Sequence, residues 1–134
     1  QDQQLRVHTF RIKSLLNYRR HALAWKLLEQ VSKTEKVWEQ ECEYSVLLGY
    51  YTVKVEVFEG LFNHTEAIRT IEEEIIPLVR DHEQDRLHAQ YLLAKANCFG
   101  SRKVKALYLL QEVVDDVRYS IADRIHSHLH LAWL

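Results

Sequence analysis

Apolar residues recur along most of this chain at the three- and four-residue spacing of amphipathic helices. Three segments share one pattern, in which a small residue lies four positions before an aliphatic one on the same helix face. Their alanine anchors, Ala24, Ala67 and Ala106, are 43 (67 − 24) and 39 (106 − 67) residues apart. An apolar helix precedes each anchor. A repeat of this length predicts an all-α solenoid of antiparallel helical hairpins.

The apolar spacing predicts about seven helices joined by short turns. In the first helix, it places Leu5, Phe10, Leu15 and Leu16 toward the core, and in the second it places Ala24, Leu27, Leu28 and Val31 on one stripe. The predicted helices cover, approximately, residues 2–17, 21–32, 34–60, a stretch from 63 that includes Pro77, 83–99, 101–117 and 120–134.

The third predicted helix contains an ambiguous segment. Val53–Phe58 alternates apolar and polar residues, which is typical of a strand. However, Trp38, Cys42 and Val46 upstream follow helical spacing, no turn residue intervenes, and the chain offers no partner strand. We therefore predict one long helix that ends near Gly60.

Turn and capping residues set the other expected helix ends. Pro77 cannot donate a hydrogen bond to the Glu73 carbonyl, so we expect a kink or an early end with irregular turns. Gly100 is a suitable residue to follow the end of the fifth helix. The expected N-caps are Thr34, Asn63 with Glu66 three residues on, Ser101, and Ser120 with Asp123 three residues on.

Composition supports the all-α prediction and limits the functional classes. Three Gly and one Pro among 134 residues are too few for a sheet-rich or loop-rich fold. The charge is balanced, with 18 Lys and Arg against 19 Asp and Glu, which argues against a nucleic-acid surface. We interpret the short basic patches Arg19-Arg20 and Arg102–Lys105 as solvated helix ends.

The length predicts one domain over residues 1–134. The sequence has no signal peptide, lipidation motif or membrane-spanning apolar run. Cys42 and Cys98 each fall in a helical apolar pattern, so we expect two reduced thiols. The chain begins with Gln1, has no Met and stops at Leu134 within an apolar helical stretch, so we expect a fragment of a longer chain.

The histidine-rich end of the chain is the best candidate for a metal site. His126 and His130 lie four residues apart on one helix face, and Asp123 lies one turn earlier, a spacing that suits zinc. The alternative, which we favour, is that His126, His128 and His130 are polar-face residues that hold no metal. Glu72–Glu74 is interpreted as a solvated face, and no glycine-rich phosphate loop occurs. We therefore expect no enzyme, cofactor or small-molecule substrate.

In the register of a tetratricopeptide repeat, Ala67 and Ala106 occupy the small position of the second helix of a hairpin. Counting back 12 residues gives Val55 and Ala94 at the small position of the first helix, and Val55 predicts a wider helix crossing. First helices line the groove of such a solenoid, where a peptide or a partner helix can lie. The predicted groove residues are Glu56, Glu59, His88, Tyr91 and Lys95.

Four segments resemble the C-terminal tetratricopeptide repeats of the anaphase-promoting complex subunit 5 family. Ile75–Asp81 carries a proline late in a second repeat helix, and Arg86–Ala96 ends in a similar Leu-Leu-Ala-Lys run. Arg102–Leu107 and Ile121–His126 are similar in order and spacing, so the resemblance covers about residues 20–134.

The resemblance implies a non-catalytic scaffold subunit of a large ubiquitin ligase that acts in mitosis and cell-cycle control. Its partners would be other protein subunits, not nucleic acid or membrane, and it would lie in the nucleus and cytoplasm. Two alternatives stay open: a peptide-binding adaptor of the chaperone co-factor type, and another cell-division solenoid such as separase or the cohesin loader. The mixed charge of the predicted groove counts against the adaptor, because that class uses a basic carboxylate clamp.

Overall fold

The computed structural model describes residues 1–134, which form helices and no strand. Three consecutive segments over residues 64–78 follow one another without a non-helical residue and count as one helix, which gives eight helices where seven were predicted. The elements are α1 (Asp2–Asn17), α2 (His21–Ser32), α3 (Glu35–Glu41), α4 (Tyr44–Gly60), α5 (His64–Thr70), a π-helical segment (Ile71–Ile75), α6 (Ile76–Leu78), α7 (Glu83–Phe99), α8 (Lys103–Asp115) and α9 (Ile121–Trp133).

The additional helix arises because the predicted third helix is interrupted. Cys42 and Glu43 adopt extended backbone conformations, with ψ of 149° and 156°, which separate α3 from α4. The Glu43 amide donates a hydrogen bond of 3.0 Å to the Asp2 carboxylate of α1. No turn residue marks this break, so the prediction of one continuous helix was wrong. The Asp2 carboxylate of α1 thus satisfies a backbone amide that the interruption would otherwise leave free.

The ambiguous segment Val53–Phe58 is helical, as predicted. Its alternation does not mark a strand, because α4 is buried on most of its circumference. Val53, Val55 and Val57 are buried, and so is the intervening Lys54. The Lys54 ammonium lies 3.0 Å from the Glu35 carboxylate of α3, which offsets the cost of burying the charge.

The irregularity expected at Pro77 lies on its N-terminal side. The chain follows α-helical geometry to Thr70, widens into π-helical turns at Ile71–Ile75 and ends after the short turn α6. A π-helical turn changes the spacing of the hydrogen bonds, which accommodates the missing N–H of Pro77. The prediction of an early, irregular end is therefore confirmed.

Two non-glycine residues, rather than Gly100, terminate helices in the left-handed conformation. Arg19 after α1 has φ of 57°, and Phe62 after α4 has φ of 58°. Each lies in a Schellman motif, in which the next amide donates a bond of 2.8 Å to a carbonyl of the last helical turn. Gly100 does follow α7 as predicted, but its φ is −92°. Its freedom to adopt a left-handed conformation is not used.

The expected N-caps were partly correct. Ser120 accepts a bond of 3.1 Å from the Asp123 amide at the start of α9, and Asn63 accepts one of 3.3 Å from the Glu66 amide. Ser101 is not a cap, because α8 begins at Lys103 with Arg102 before it, and α8 ends at Asp115 rather than Val117. The Thr34 hydroxyl donates to the Val31 carbonyl of α2 instead of accepting a bond from α3.

The chain divides into two compact units, Gln1–Thr70 and Ile71–Leu134. In the first unit, the α1–α2 hairpin packs on α4, and α4 packs on α5. Gly60 permits a close approach within this unit, because a Cβ atom there would lie 2.6 Å from Nδ1 of His21. Phe10, expected in the core, is 72% exposed, whereas Leu5 and Ile12 are fully buried. The prediction of a single domain stays a prediction.

In the second unit, α8 packs between α7 and α9. Ala94 and Cys98 of α7 contact Ala106 and Leu110 of α8 in a small apolar core, against which Leu131 of α9 also packs. The small residues at 94 and 106 have no exposed surface, so the two helices approach closely there. No helix of either unit combines the length and apolarity that crossing a bilayer requires.

Candidate protein-interaction surface on the last helix

A group of imidazole rings surrounds Tyr91 in the second unit. The ring centroids of His88, His126 and His130 lie 5.9, 6.3 and 6.3 Å from that of Tyr91. The Tyr91 hydroxyl lies 3.3 Å from Nε2 of His130, and the Phe99 ring contacts His130 edge-on at 5.6 Å. Because the residues come from both α7 and α9, this cluster joins the two helices by aromatic contacts.

A hydrogen-bonding contact between His88 and Asp123 joins the other end of the α7–α9 contact. Nδ1 of His88 lies 2.8 Å from the Asp123 carboxylate. The Asp123 side chain is 7% exposed, whereas that of His88 is 52% exposed. The buried carboxylate therefore has a half-exposed partner that solvent reaches.

Burial lowers the pKa of His130 below its ordinary value of 6.5, and the nearby charges of Lys95 and His126 lower it further. A lowered pKa in a base means that the fold disfavours its protonated form. At neutral pH His130 is therefore an uncharged imidazole, able to exchange one hydrogen bond with the Tyr91 hydroxyl. Which ring nitrogen carries the proton depends on that bond.

The metal-site candidates do not converge. No group of three or more His, Cys, Asp or Glu side chains is arranged to hold a metal ion. Asp123 faces His88, while His126 and His130 contact the ring of Tyr91. Asp123, His126 and His130 keep the spacing on α9 that the sequence indicated. Their contacts with α7 direct the carboxylate to His88 and the two imidazole rings to Tyr91.

The predicted groove residues are divided between the two units. Glu56 and Glu59 lie on α4, where Glu56 accepts a hydrogen bond of 2.6 Å from Lys13 of α1. His88, Tyr91 and Lys95 lie on α7 in the second unit. Within that unit, the structure brings His88 and Tyr91 into contact and places Lys95 near enough to His130 to affect its pKa. The sequence did not reveal that His126 and His130 belong to the same cluster.

Both thiols are protonated at neutral pH. Cys42 and Cys98 are free, as expected. Burial raises the pKa of Cys42, and its hydrogen bond to Asp2 raises it further. Burial also raises the pKa of Cys98. A thiol in such surroundings is a poor nucleophile.

Helix α9 has an apolar face that points to solvent. Ile121, Ile125, Leu129 and Trp133 are between 53% and 87% exposed. Residues at four-residue intervals drift by only about 40° around a helix, so these four, spaced by four, form one continuous stripe. Ala122 and Ala132 lie within the same stripe and are also exposed.

The opposite face of α9, which packs on α7 and α8, carries polar residues beside a single partly buried leucine, Leu131. Its fully covered residues are Asp123 and Ser127, and Arg124 donates a bond of 3.1 Å to the Val114 carbonyl of α8. At about 100° per residue, Asp123 lies roughly 140° and Ser127 roughly 180° from the middle of the apolar stripe. An amphipathic surface helix normally has the reverse orientation. The sequence indicated that α9 is amphipathic, but it did not indicate which face lies inward.

Two features therefore distinguish the second unit: the imidazole cluster around Tyr91 and the outward apolar face of α9. The cluster joins α7 to α9 within the unit, whereas the apolar face of α9 points to solvent. Comparison with protein-family models, with curated proteins and with solved structures finds no match to this chain.

Proposed function

We propose that this protein is a non-catalytic scaffold for protein–protein interaction, and that the outward face of α9 binds an amphipathic helix of another subunit. The single observation that carries the proposal is the inverted orientation of α9. Its apolar stripe of Ile121, Ile125, Leu129 and Trp133 lies in solvent, while Asp123 and Ser127 are covered.

The energetics support a partner on this face. Complete burial of a large aliphatic or aromatic side chain contributes about 1.5 to 3 kcal/mol. Four such side chains in one stripe can therefore supply the apolar centre of a helix–helix interface. Anchors at i, i+4 and i+8 match the spacing by which a partner helix binds in a groove.

The flanks of the stripe indicate what the partner carries. Arg124 and His128 lie along one edge and His126 along the other, whereas the only acid of α9, Asp123, is buried. In an antiparallel pair of identical helices, the same edges would meet, so the basic edge with Arg124 and His128 would face its own copy. A different protein with acidic residues beside its apolar stripe is the better complement.

The finer proposal is a tetratricopeptide-like solenoid belonging to a subunit of the anaphase-promoting complex, which acts in cell division in the nucleus and cytoplasm. The resemblance of Ile75–Asp81 and Arg86–Ala96 to that family supports it. The small positions of the repeat register support it as well, because all of them are almost completely buried. These residues are Ala24, Val55, Ala67, Ala94 and Ala106.

Affinity capture from mitotic extract, followed by mass spectrometry, tests the proposal. We expect the chain to recover platform subunits of the ligase, and the change Ile125→Glu with Leu129→Glu to abolish that recovery. Val104→Glu is the matched control, because Val104 is an exposed apolar residue of the same unit on α8. The finer proposal fails if no ligase subunit is recovered. The assignment to α9 fails if the double variant recovers the same proteins as the wild type.

A further inference from the structure

The N-terminal hairpin concentrates positive charge within a chain whose net charge is −1. Residues 3–28, which include α1 except Asp2 and most of α2, contain six Lys and Arg and no Asp or Glu. The balanced overall composition conceals this segregation. The cations are Arg6, Arg11, Lys13, Arg19, Arg20 and Lys26.

A groove of about 640 Å³ lies between α1 and α2 on this hairpin. Leu15 and Leu27 are partly buried in its floor, and Phe10 and Tyr18 are largely exposed along it. The groove therefore offers a mainly apolar surface to a side chain from outside. Its lining residues are Phe10, Arg11, Ser14, Leu15, Tyr18, Arg20 and Leu27.

The two guanidinium groups of this groove have no acidic partner within the chain. Lys13, on the same helix, is paired with Glu56 of α4 at 2.6 Å. Arg11 and Arg20 form no such pair, although both belong to the lining of the groove. Arginine binds carboxylates through two parallel hydrogen bonds, which makes an unpaired arginine beside an apolar groove suitable for an acidic ligand.

We propose that the α1–α2 groove binds a short acidic segment of another protein, with an apolar side chain between Phe10, Leu15 and Leu27 and carboxylates on Arg11 and Arg20. Charge complementarity determines this choice of partner. A nucleic acid is the weaker fit, because the cations flank an apolar depression instead of forming a continuous phosphate track.

This groove belongs to the first unit, and its test involves no residue of α9. Failure here therefore leaves the proposed function unaffected, and failure of the α9 test leaves this inference unaffected. The probe is a fluorescein-labelled peptide of about a dozen residues, composed of Glu with two Leu four positions apart, the spacing that lets apolar anchors share one face. Binding is followed by fluorescence anisotropy of the peptide mixed with the full chain.

We expect saturable binding that weakens as salt is added. Arg11→Glu combined with Arg20→Glu should weaken it by at least about tenfold, because each reversal replaces an attraction with a repulsion. Phe10→Ser should weaken it as well. Lys26→Glu is the matched control, since Lys26 is an exposed cation of α2 that does not line the groove; it should change the affinity by less than about threefold.

Three results would overturn the inference. The first is no binding of the peptide at about 1 mM, a concentration at which even a weak specific site is half occupied. The second is equal weakening by Lys26→Glu and by the Arg11 and Arg20 reversals, which indicates general charge attraction. The third is tighter binding of an oligodeoxythymidine of similar length than of the peptide. Circular dichroism of each variant excludes loss of the helical fold as the cause.

Discussion

In the first unit, Lys54 and Glu35 form an ion pair whose side chains are only 8% and 14% exposed, and the Tyr50 hydroxyl donates a third hydrogen bond to the same carboxylate. In the second unit, the Asp123 carboxylate is equally covered, but its partner His88 is 52% exposed. A covered carboxylate is therefore present in both units, but removing its partner is expected to have different consequences for stability. Loss of Lys54 or Glu35 leaves its partner buried without a counter-charge in the first unit. In the second unit, solvent reaches the contact between His88 and Asp123.

The units also differ in how they end helices and which surfaces they expose. The first unit terminates α1 and α4 with the left-handed residues Arg19 and Phe62, whereas α7 in the second unit ends with extended backbone at Gly100. The first exposes a groove flanked by unpaired arginines, and the second exposes the apolar face of α9. Under the two proposals, these surfaces would select partners by different chemistry.

Removal of the Lys54 ammonium is expected to have the largest effect on stability. Lys54→Met leaves the Glu35 carboxylate buried without its cation, and we expect the free energy of unfolding to fall by about 3 kcal/mol. Urea denaturation followed by circular dichroism measures it. Adding Glu35→Gln should restore most of the loss. His88→Gln in the second unit should cost at most about 1 kcal/mol, and equal losses in both units would contradict the comparison.

Two serine substitutions within the second unit should act in opposite directions. The Ser127 hydroxyl is fully buried and has no hydrogen-bond partner, so Ser127→Ala should stabilise the protein by about 1 kcal/mol. Ser120→Ala removes the N-cap of α9 and should destabilise it by about 1 kcal/mol. Thermal unfolding of the two variants measures both effects. A loss of stability in Ser127→Ala would mean that the hydroxyl has a partner.

The difference in helix ends predicts a smaller effect. Glycine adopts positive φ without a steric penalty, but it also gives the unfolded chain greater entropy. We expect the first contribution to exceed the second, so that Phe62→Gly raises the unfolding free energy by about 0.5 kcal/mol. Gly100→Ala is the matched control, because Gly100 does not use positive φ, and it should cause no loss beyond about 0.5 kcal/mol. Urea denaturation of both variants measures the two changes in unfolding free energy. Destabilisation by Phe62→Gly would contradict the assignment of strain.

The smallest effect is a pH dependence that His130 gives to the second unit. Burial lowers the pKa of His130 from 6.5, so the folded state binds fewer protons at this residue than the unfolded state. Its contribution to stability is present above pH 6.5 and is lost as pH falls through the lowered folded pKa. We expect His130→Gln to reduce the fall in melting temperature on acidification. An unchanged slope, or an NMR titration of His130 at or above 6.5, would contradict this.

Several elements could be predicted because local pattern specifies them. The stop at Pro77 follows from a missing backbone donor, and the caps at Asn63 and Ser120 follow from short side chains that reach an amide three residues on. The break at Glu43 could not be predicted, because its amide is satisfied by Asp2, 41 residues away. No local signal encodes a partner at that separation.

The candidate surfaces were less accessible to prediction than the helices. His88 and Tyr91, predicted as groove residues, contact each other, and their role in binding a partner stays a prediction. Their association with His126 and His130 depends on how α7 and α9 pack, which a single helical pattern does not specify. The groove of the N-terminal hairpin was missed because Phe10 was assigned to the core and Arg19-Arg20 to a solvated end. An acid-free stretch at residues 3–28 was the available signal.

The sequence by itself determined that the chain is helical, where most helices begin and end, and that α9 has an apolar and a polar face. Those properties depend on residues within a few positions of one another along the chain. Only the tertiary structure decided that Asp123 and Ser127 lie inward while Ile125 and Trp133 face solvent. The physical reason is that an amphipathic pattern fixes the angle between two faces, whereas the neighbouring helices α7 and α8 determine which face they cover.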